Sequence, residues 1–227
     1  MPAIPVITID GPSGVGKGTV SQLLTRRFGW HFLDSGALYR LTALAARRQG
    51  VAFDDVDGLA RVARELAVEF RPQEQGDLMI FLLGQEVSKD IRTEQAGNDA
   101  SRVAAVPAVR EALLERQRAF LQPPGLVADG RDMGTTVFPA APLKIFLTAS
   151  AEVRAQRRYN QLKEKGFDAN LHSLFVEIAE RDERDRNRTV SPLRPAADAV
   201  VIDTSTLGID EVLAVVLAEC RNRLGMQ

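Results

Sequence analysis

The sequence predicts an α/β fold in which helices flank a parallel β-sheet, and two observations support this prediction. Short, almost continuous apolar runs are typical of strands that are covered on both faces, and such runs occur at residues 6–9, 125–128, 143–147 and 199–202. Helical patterns separate these runs, and strands that alternate with helices form parallel sheets with right-handed crossovers. Ligands of such sheets bind beyond the carboxyl ends of the strands, so the residues that follow each strand are the first candidates for a site.

The helical patterns cover Lys17–Phe28, Gly36–Gln49, Pro107–Leu121, Ala151–Lys165, Leu171–Arg188 and Ile209–Arg223. One region breaks the alternation of strands and helices. Residues 67–70 and 78–83 have the composition of two hairpin strands, with the turn at residues 73–77. We therefore predict a small β-containing insertion at about residues 60–105, packed on the edge of the core.

Length and composition limit the class of protein. With 227 residues, of which 45% are apolar and 26% charged, the chain can bury the core of an ordinary globular protein. A formal net charge of −1 argues against a broad surface for nucleic acid or membrane, because such a surface needs excess basic charge. The lone Cys220 excludes an intrachain disulfide, and we find neither a signal peptide nor an apolar run of roughly 20 residues. We expect a cytoplasmic protein without nucleic-acid or membrane partners.

The first strand leads directly into a glycine-rich turn that contains one lysine and is followed by a helix. Glycines at these positions allow successive backbone N–H groups to face a polyphosphate, and Lys17 and the helix N-terminus add positive charge. A connection without any ligand is the alternative, which this spacing disfavours. The pattern predicts a phosphate-binding loop that consists of Gly11, Pro12, Ser13, Gly14, Val15, Gly16, Lys17, Gly18 and Thr19.

The loop departs at one position from the usual pattern, in which a hydroxyl-bearing residue follows the lysine and binds Mg²⁺. Gly18 occupies that position, and Thr19 comes one residue later. Direct Mg²⁺ ligation by a side chain of this loop is therefore not predicted. Thr19 is better placed for a contact with the α-phosphate of a nucleotide.

The apolar run at residues 125–128 ends in two carboxylates and an arginine, namely Asp129, Arg131 and Asp132. An Asp-Gly turn with a solvated ion pair is the alternative interpretation. Because the strand directs these residues to the same sheet edge as the phosphate-binding loop, we favour a functional role. Asp129, at the end of the strand, is predicted to hold Mg²⁺ through a water molecule.

A short strand that ends at Asp34 is followed by Ser35 and Gly36, which open a helix. Serine is a favoured N-cap residue, and this alone explains Ser35 in structural terms. Arg40 lies close to the same helix N-terminus, where a second anion could be held.

The helix predicted at residues 171–188 carries a charged face with the spacing i, i+3, i+4 and i+7, formed by Arg181, Arg184, Asp185 and Arg188. A solvated helix with the i, i+4 pairs Arg181–Asp185 and Asp182–Arg186 is the alternative, and each such pair contributes only about 0.2–0.5 kcal/mol. Arg184 and Arg188 repel each other unless an anion lies between them. The pattern therefore favours a face directed at phosphate.

A further basic cluster, formed by Arg154, Arg157 and Arg158, lies on the helix that follows the strand at residues 143–147. Arginines in such a position suit a lid that closes over a transferring phosphoryl group and excludes water. An ordinary exposed helix surface is the alternative. We predict the lid.

Taken together, four segments resemble the bacterial cytidylate kinases: residues 11–19 (GPSGVGKGT), 33–40 (LDSGALYR), 129–135 (DGRDMGT) and 180–188 (ERDERDRNR). The likeness extends from residue 4 to about residue 205. It includes the insertion, which is similar to the enlarged monophosphate-binding region of the long bacterial type. The loop is shared with all nucleoside monophosphate kinases, whereas the other three motifs are not, and Gly-Lys-Gly-Thr is this family's form of the loop.

The resemblance implies the P-loop nucleoside monophosphate kinase fold, a parallel sheet flanked by helices with a small β-containing insertion and a lid. We expect a single cytidylate kinase unit over residues 1–227. Its parts are the core at about 1–59, 106–150 and 171–227, the monophosphate-binding insertion at about 60–105 and the lid at about 151–170.

The activity that the resemblance implies is phosphorylation of CMP and dCMP by ATP, with Mg²⁺ bridging the ATP phosphates. We expect the protein to be monomeric. It implies that the cytosine is surrounded by Ser35, Arg110, Asp132 and Arg188. It implies sugar contacts from Ser101, Arg181 and Asp185, and monophosphate contacts from Arg40 and Arg131. The residues expected to act in catalysis are Lys17, Arg131, Asp129, Arg154 and Arg158.

Three other functions compete with this one. A kinase for another small acceptor, such as UMP or a non-nucleotide alcohol, would share the loop. A GTP-dependent switch would require an Asn-Lys-x-Asp segment late in the chain, and the sequence contains none. A nucleotide-binding subunit of a larger assembly should have a large exposed apolar face, which no segment clearly offers.

Overall fold

The computed structural model describes residues 4–71, 79–164 and 166–226. In these residues the strands are β1 (Val6–Asp10), β2 (His31–Asp34), β3 (Val68–Arg71), β4 (Met79–Leu82), β5 (Gln85–Glu86), β6 (Leu126–Gly130), β7 (Leu143–Thr148) and β8 (Val200–Asp203). The helices are α1 (Lys17–Phe28), α2 (Ser35–Arg48), α3 (Val56–Arg64), α4 (Glu94–Val103), α5 (Pro107–Arg118), α6 (Ala151–Glu164), α7 (Leu171–Arg186) and α8 (Ile209–Leu224). A 3₁₀ turn at Asp90–Arg92 and a π-helical turn at Met133–Val137 complete the description.

The chain divides into two compact units. The first contains the residues up to Asp34 together with those from Arg118 onwards, and the second is Ser35–Gln117. In the described part of the first unit, strands form a parallel sheet in the order β2-β6-β1-β7-β8. Ile9 of the central strand pairs with Asp129 of β6 and with Ile145 of β7. This register brings the ends of β1 and β6 to one sheet edge and confirms the predicted parallel α/β sheet.

The core of the first unit consists of apolar side chains from the sheet and from the helices that pack on it. β1 contributes Ile7 and Ile9, α1 contributes Val20 and Leu24, and α8 contributes Val212, Val216 and Cys220. Burial of these groups is the main stabilising contribution, at roughly 1.5–3 kcal/mol for each large side chain. Cys220 is a free thiol that is buried in this core. Among the described residues, no helix is both long and apolar enough to cross a membrane.

The second unit combines helices with a small antiparallel sheet of β3, β4 and β5. In that sheet Val68 pairs with Leu82 and Arg71 with Met79, which confirms the two predicted hairpin strands. The predicted turn at residues 73–77 and Leu78 lie outside the described residues. The helices α3 and α4 and the short strand β5 were not predicted.

One prediction for the charged helix is wrong. We expected a helix that continues to Arg188, but α7 ends at Arg186 and Asn187 is its C-cap, with its backbone N–H donating to the carbonyl of Glu183. Arg188 therefore lies beyond the helix and does not belong to a helical face at i+7. The predicted helix at 151–165 corresponds to α6, and Lys165 lies outside the described residues.

Candidate active site

The loop after β1 has the backbone that the glycines predict. Gly11, Gly14 and Gly16 have φ angles of 146°, 79° and 92°, which residues with a Cβ rarely adopt. At Gly11 a Cβ would also lie 2.1 Å from the carbonyl oxygen of Leu147. Gly16 is the N-cap of α1 and offers no side chain to the first amides of that helix. Those amides are available to an anionic ligand.

Lys17 is the first residue of α1, and only 6% of its surface is exposed. Its Nζ donates to the carbonyl oxygen of Pro12 at 2.7 Å and lies 3.9 Å from Oδ1 of Asp129. Burial lowers the pKa of Lys17 to about 7, with repulsion from Arg131 and Arg181 acting in the same direction and attraction to Asp129 opposing it. A bound anion would reduce this repulsion. The first unit therefore gathers three cations around the start of α1.

Arg131 and Arg188 share one buried carboxylate. Nε of Arg131 donates to Oδ2 of Asp185 at 3.2 Å, and Nη2 of Arg188 donates to Oδ1 of the same residue. Asp185 is 2% exposed. Because its two oxygens hold guanidinium groups from two different segments, Asp185 fixes the orientation of both arginines.

Arg154 is almost completely buried, with 1% of its surface exposed. Its two Nη atoms donate to the carboxylate of Asp182 on α7 at 3.1 Å and 2.5 Å, and Nη1 also donates to the carbonyl of Ser13 in the phosphate-binding loop at 3.2 Å. Nε donates to the carbonyl of Ala149 at 3.0 Å. Arg154 thus links α6, α7 and the loop, an arrangement that the lid hypothesis did not anticipate. Its catalytic role stays a prediction.

The two other arginines of the predicted lid, Arg157 and Arg158, have different hydrogen-bond partners. Arg157 donates to the hydroxyl and to the carbonyl of Thr204, the residue that follows β8, and the Thr204 hydroxyl in turn donates to the carbonyl of Val15 at 3.3 Å. These contacts tie α6 to the phosphate-binding loop a second time. Arg158 instead donates to Gln161, one turn further along α6 and on its exposed side.

A cleft of about 580 Å³ opens beside the loop, within the first unit. Its lining includes polar and basic groups, from the residues between Gly14 and Thr19 and from the three arginines of α6. The apolar side chains of Leu207, Ile209 and Val212 also line it, and Ile209 lies close to Gly16 of the loop. Phosphates and a planar base require these two environments side by side.

The predicted Mg²⁺ site depends on Asp129. A Cβ added at Gly18 would lie 3.6 Å from Oδ2 of Asp129, so this carboxylate faces the start of α1. Within the described residues, no group of three or more histidine, cysteine or acidic side chains could hold a metal ion alone. Mg²⁺ usually binds one or two carboxylates together with substrate phosphates and water. The position of Asp129 is compatible with that arrangement, and its role as a ligand stays a prediction.

Asp132 is 2% exposed and lies directly before the π-helical turn of the first unit. Arg181 is partly buried on α7. The first unit thus contains five of the acceptor-binding candidates, namely Asp132, Arg181, Arg131, Asp185 and Arg188.

Four candidates belong to the second unit. Ser35 is the first residue of α2, and its hydroxyl donates to Oε1 of Gln117 at 2.7 Å. Arg40 is partly buried on the same helix. Ser101 is buried on α4. Arg110 on α5 donates to the carbonyl of Ala104 at 3.2 Å and lies over the ring of Tyr39.

Sequence reasoning missed four residues that form hydrogen bonds with the candidates or with the segments that carry them, namely Asp10, Gln117, Asp182 and Thr204. Asp10 gave one usable signal, since a carboxylate at the end of an otherwise apolar strand must find partners when it is buried. The other three gave none, because their partners are distant in the sequence.

The family model described as "Cytidylate kinase" matches residues 7–222. A protein named "Cytidylate kinase" from Aeromonas salmonicida (strain A449) is 59% identical over 221 residues, which cover 97% of this chain and 96% of that protein. A protein of the same name from Marinomonas sp. (strain MWYL1) is 60% identical over 215 residues, covering 95% of each. A solved gluconokinase from Sinorhizobium meliloti 1021 has a TM-score of 0.47 and 18% identity, covering 98% of this chain and 95% of its own.

Proposed function

The chain belongs to the cytidylate kinase family, and on this basis we propose that it transfers the γ-phosphoryl group of ATP to CMP and dCMP. The observation that supports this most directly is the gathering of Arg131 and Arg181 near the buried Lys17: burial lowers the pKa of Lys17, and repulsion from these two arginines lowers it further. A bound phosphate group would reduce the remaining repulsion between these cations at the helix N-terminus. We also propose the division into core, insertion at about 60–105 and lid at about 151–170, and a monomeric state.

In the proposed reaction the acceptor phosphate is already an anionic nucleophile at neutral pH, so no strong general base is needed. Catalysis then consists of positioning and of charge neutralisation. Lys17 and the amides of the loop from Gly11 to Thr19 hold the donor phosphates. Arg131 and Arg40 direct the acceptor phosphate, and Arg158 with Arg154 contributes positive charge from the lid.

Mg²⁺ is proposed to bind with the ATP phosphates, where it would neutralise charge that develops on the transferring group. Asp129 would hold it through a water molecule. Gly18 provides no hydroxyl for direct ligation.

The residues that we propose to contact the acceptor nucleoside are those that the resemblance implies: Ser35, Ser101, Arg110, Asp132, Arg181, Asp185 and Arg188. Asp132 is proposed as the reader of the base. Cytosine presents an N4 amino donor where uracil presents a carbonyl, so a carboxylate accepts a hydrogen bond from the first and is repelled by the second. A buried carboxylate that faces a carbonyl also loses its partner, which strengthens rejection of uracil.

The test of this function is a coupled ADP-release assay with CMP, dCMP, UMP and AMP at equal Mg-ATP. We expect kcat/KM for CMP and dCMP to exceed that for UMP and AMP by at least about tenfold, the effect of one good base contact. A preference for UMP or AMP would contradict the proposed acceptor. Slow nucleotide hydrolysis that no acceptor stimulates would instead favour a switch protein.

Asp185→Ala tests the acceptor site separately. With dCMP we expect kcat/KM to fall about tenfold, because the Arg131 and Arg188 guanidinium groups lose the buried carboxylate that orients them. With CMP we expect a larger fall, because the variant also loses the proposed contact with the ribose 2′-hydroxyl. The ratio of kcat/KM for the two acceptors is the quantity to measure. Equal losses would show that Asp185 orients the arginines without reading the 2′-hydroxyl.

A further inference from the structure

Thr204, the residue that follows β8, contacts the phosphate-binding loop from a distant part of the chain. It is 2% exposed. Its backbone N–H donates to the carbonyl of Thr148, the last residue of β7, at 2.8 Å, and this bond fixes Thr204 against the sheet. Its hydroxyl oxygen lies 3.3 Å from the carbonyl oxygen of Val15 in the loop. The sheet therefore presents the Thr204 hydroxyl to the loop from a fixed position.

The two neighbours of this hydroxyl determine the direction of its hydrogen. A threonine hydroxyl has one hydrogen to donate and can also accept. Nη1 of Arg157 donates to it at 3.2 Å, and a guanidinium group can only donate. The carbonyl of Val15 can only accept, so the hydroxyl hydrogen points to Val15. Nη2 of Arg157 donates to the carbonyl of Thr204 at 2.5 Å, which holds the guanidinium in this position.

This contact determines how the peptide unit between Val15 and Gly16 is oriented. The peptide unit is planar and trans, since the one cis peptide bond among the described residues is Pro123–Pro124. In a trans peptide the C=O and the following N–H point in opposite directions. Because the Val15 carbonyl points at Thr204, the N–H of Gly16 points away from it. Successive N–H groups on one side of a glycine-rich loop form a site for anions.

A second carbonyl of the loop, that of Ser13, is also held from outside. Nη1 of Arg154 donates to it at 3.2 Å, so the N–H of Gly14 points away from Arg154 in the same way. In each of the two anchored peptide units the second residue is a glycine, which has wide conformational freedom. Thr204 and Arg154 therefore restrict the peptide units whose orientation the glycines leave free.

We propose that Thr204 is a positioning residue for the donor phosphates: its hydroxyl holds the carbonyl of Val15 so that the N–H of Gly16 is presented to the polyphosphate. Without the hydroxyl, the Val15 carbonyl loses this donor and the peptide unit can turn. A turned peptide would direct a carbonyl oxygen, instead of an N–H, at the phosphates. This inference rests on the proposed function, in which the loop holds the phosphates of ATP.

The experiment measures, by calorimetry in the presence of Mg²⁺, the Kd of ATP, of tripolyphosphate and of CMP for the wild type, Thr204→Val, Thr204→Ser and Lys17→Ala. For Thr204→Val we expect the Kd of ATP to rise about tenfold, because the Val15 carbonyl loses its donor and the Gly16 amide loses its orientation. The Kd of CMP should stay within about threefold of wild type, because the acceptor contacts are proposed for other residues. Thr204→Ser keeps the hydroxyl and should recover most of the affinity for ATP.

Tripolyphosphate separates an effect through the loop from a direct contact with the nucleoside, because Thr204 also lines the cleft beside the loop. It has the phosphates of ATP without base or sugar, so Thr204→Val should weaken both ligands by the same factor, to within about threefold. Thr8→Val is the matched control: Thr8 is also buried in the first unit, and its hydroxyl has no hydrogen-bond partner among the described residues, so all three Kd values should stay at wild type. If Thr204→Val does not fold, as judged by circular dichroism, Thr204→Ala removes the same hydroxyl.

The outcomes separate this inference from the proposed function. If Lys17→Ala binds ATP and tripolyphosphate as the wild type does, the loop does not bind phosphate, and both proposals are overturned. Weaker binding in Lys17→Ala without weaker binding in Thr204→Val would overturn the positioning role alone. The same is true if Thr204→Val weakens CMP as much as ATP, if it weakens ATP but not tripolyphosphate, or if Thr204→Ser binds ATP as weakly as Thr204→Val does.

Discussion

Lys17→Ala is expected to abolish phosphoryl transfer, with kcat reduced by at least about 10²-fold, while binding of CMP remains nearly intact. Lys17 is buried at the start of α1, and the phosphate-binding loop fixes its ammonium group through the carbonyl of Pro12. Removing it takes away the positive charge that the donor phosphates would meet. The acceptor contacts are proposed for other residues, so the loss should appear in kcat and in nucleotide-triphosphate binding.

The measurements are steady-state kinetics and calorimetric titration with CMP. Lys144→Met is the matched control, because Lys144 is also a buried lysine of the first unit, at 7% exposed, and pairs with Asp198 at 3.0 Å. It removes a lysine of similar burial and should leave turnover close to wild type. Turnover of Lys17→Ala within about tenfold of wild type would contradict the role of the loop in phosphate binding.

The parallel sheet and the loop were predictable because each depends on a local pattern. Buried strands such as β1 and β7 are nearly continuous apolar runs, and glycines with positive φ at 11, 14 and 16 are required by the loop itself. The helix α4 was not predictable from apolar periodicity. Its buried face consists of small and polar residues (Gly97, Asp99, Ala100, Ser101 and Val103), so the period of 3.6 residues is not visible in the hydrophobic pattern.

The end of α7 shows a second limit of sequence reasoning. The charged run continues through Arg188 without a glycine or proline, and Asn187 is the one local signal that the helix ends at Arg186. Beyond the helix, the backbone N–H of Leu193 donates to the carbonyl of Asp185, and Arg188 turns back to the same residue's carboxylate. Residues beyond the helix thus form tertiary contacts with Asp185, and the sequence does not reveal these contacts.

Ion pairs were predicted least well, because their partners are far apart in the chain. The i, i+4 interpretation assigned Asp182 to Arg186, and that contact does exist at 3.8 Å. The much closer partner is Arg154, 28 residues earlier. Loss of a buried ion pair lowers the free energy of unfolding much more than loss of an exposed pair does.

Asp182→Ala is expected to lower the free energy of unfolding by about 3–5 kcal/mol, because it leaves the Arg154 guanidinium buried without its carboxylate. Both side chains of the pair are at most 5% exposed, so water cannot replace the lost partner. The measurement is urea denaturation of the wild type and the variant. Arg186→Ala is the matched control: Arg186 contacts the same carboxylate from an exposed position, and its removal should change the free energy of unfolding by less than about 1 kcal/mol.

The double variant Arg154→Met/Asp182→Leu separates stability from activity. Replacing both charges by apolar groups of similar size removes the buried unpaired charge, and most of the lost stability should return. The contact from Arg154 to the carbonyl of Ser13 does not return, so KM for ATP should stay raised even when the protein is as stable as the wild type. A normal KM in the stable double variant would show that the phosphate-binding loop keeps its shape without Arg154. A loss below about 1 kcal/mol in Asp182→Ala would instead show that the pair behaves as a surface pair does.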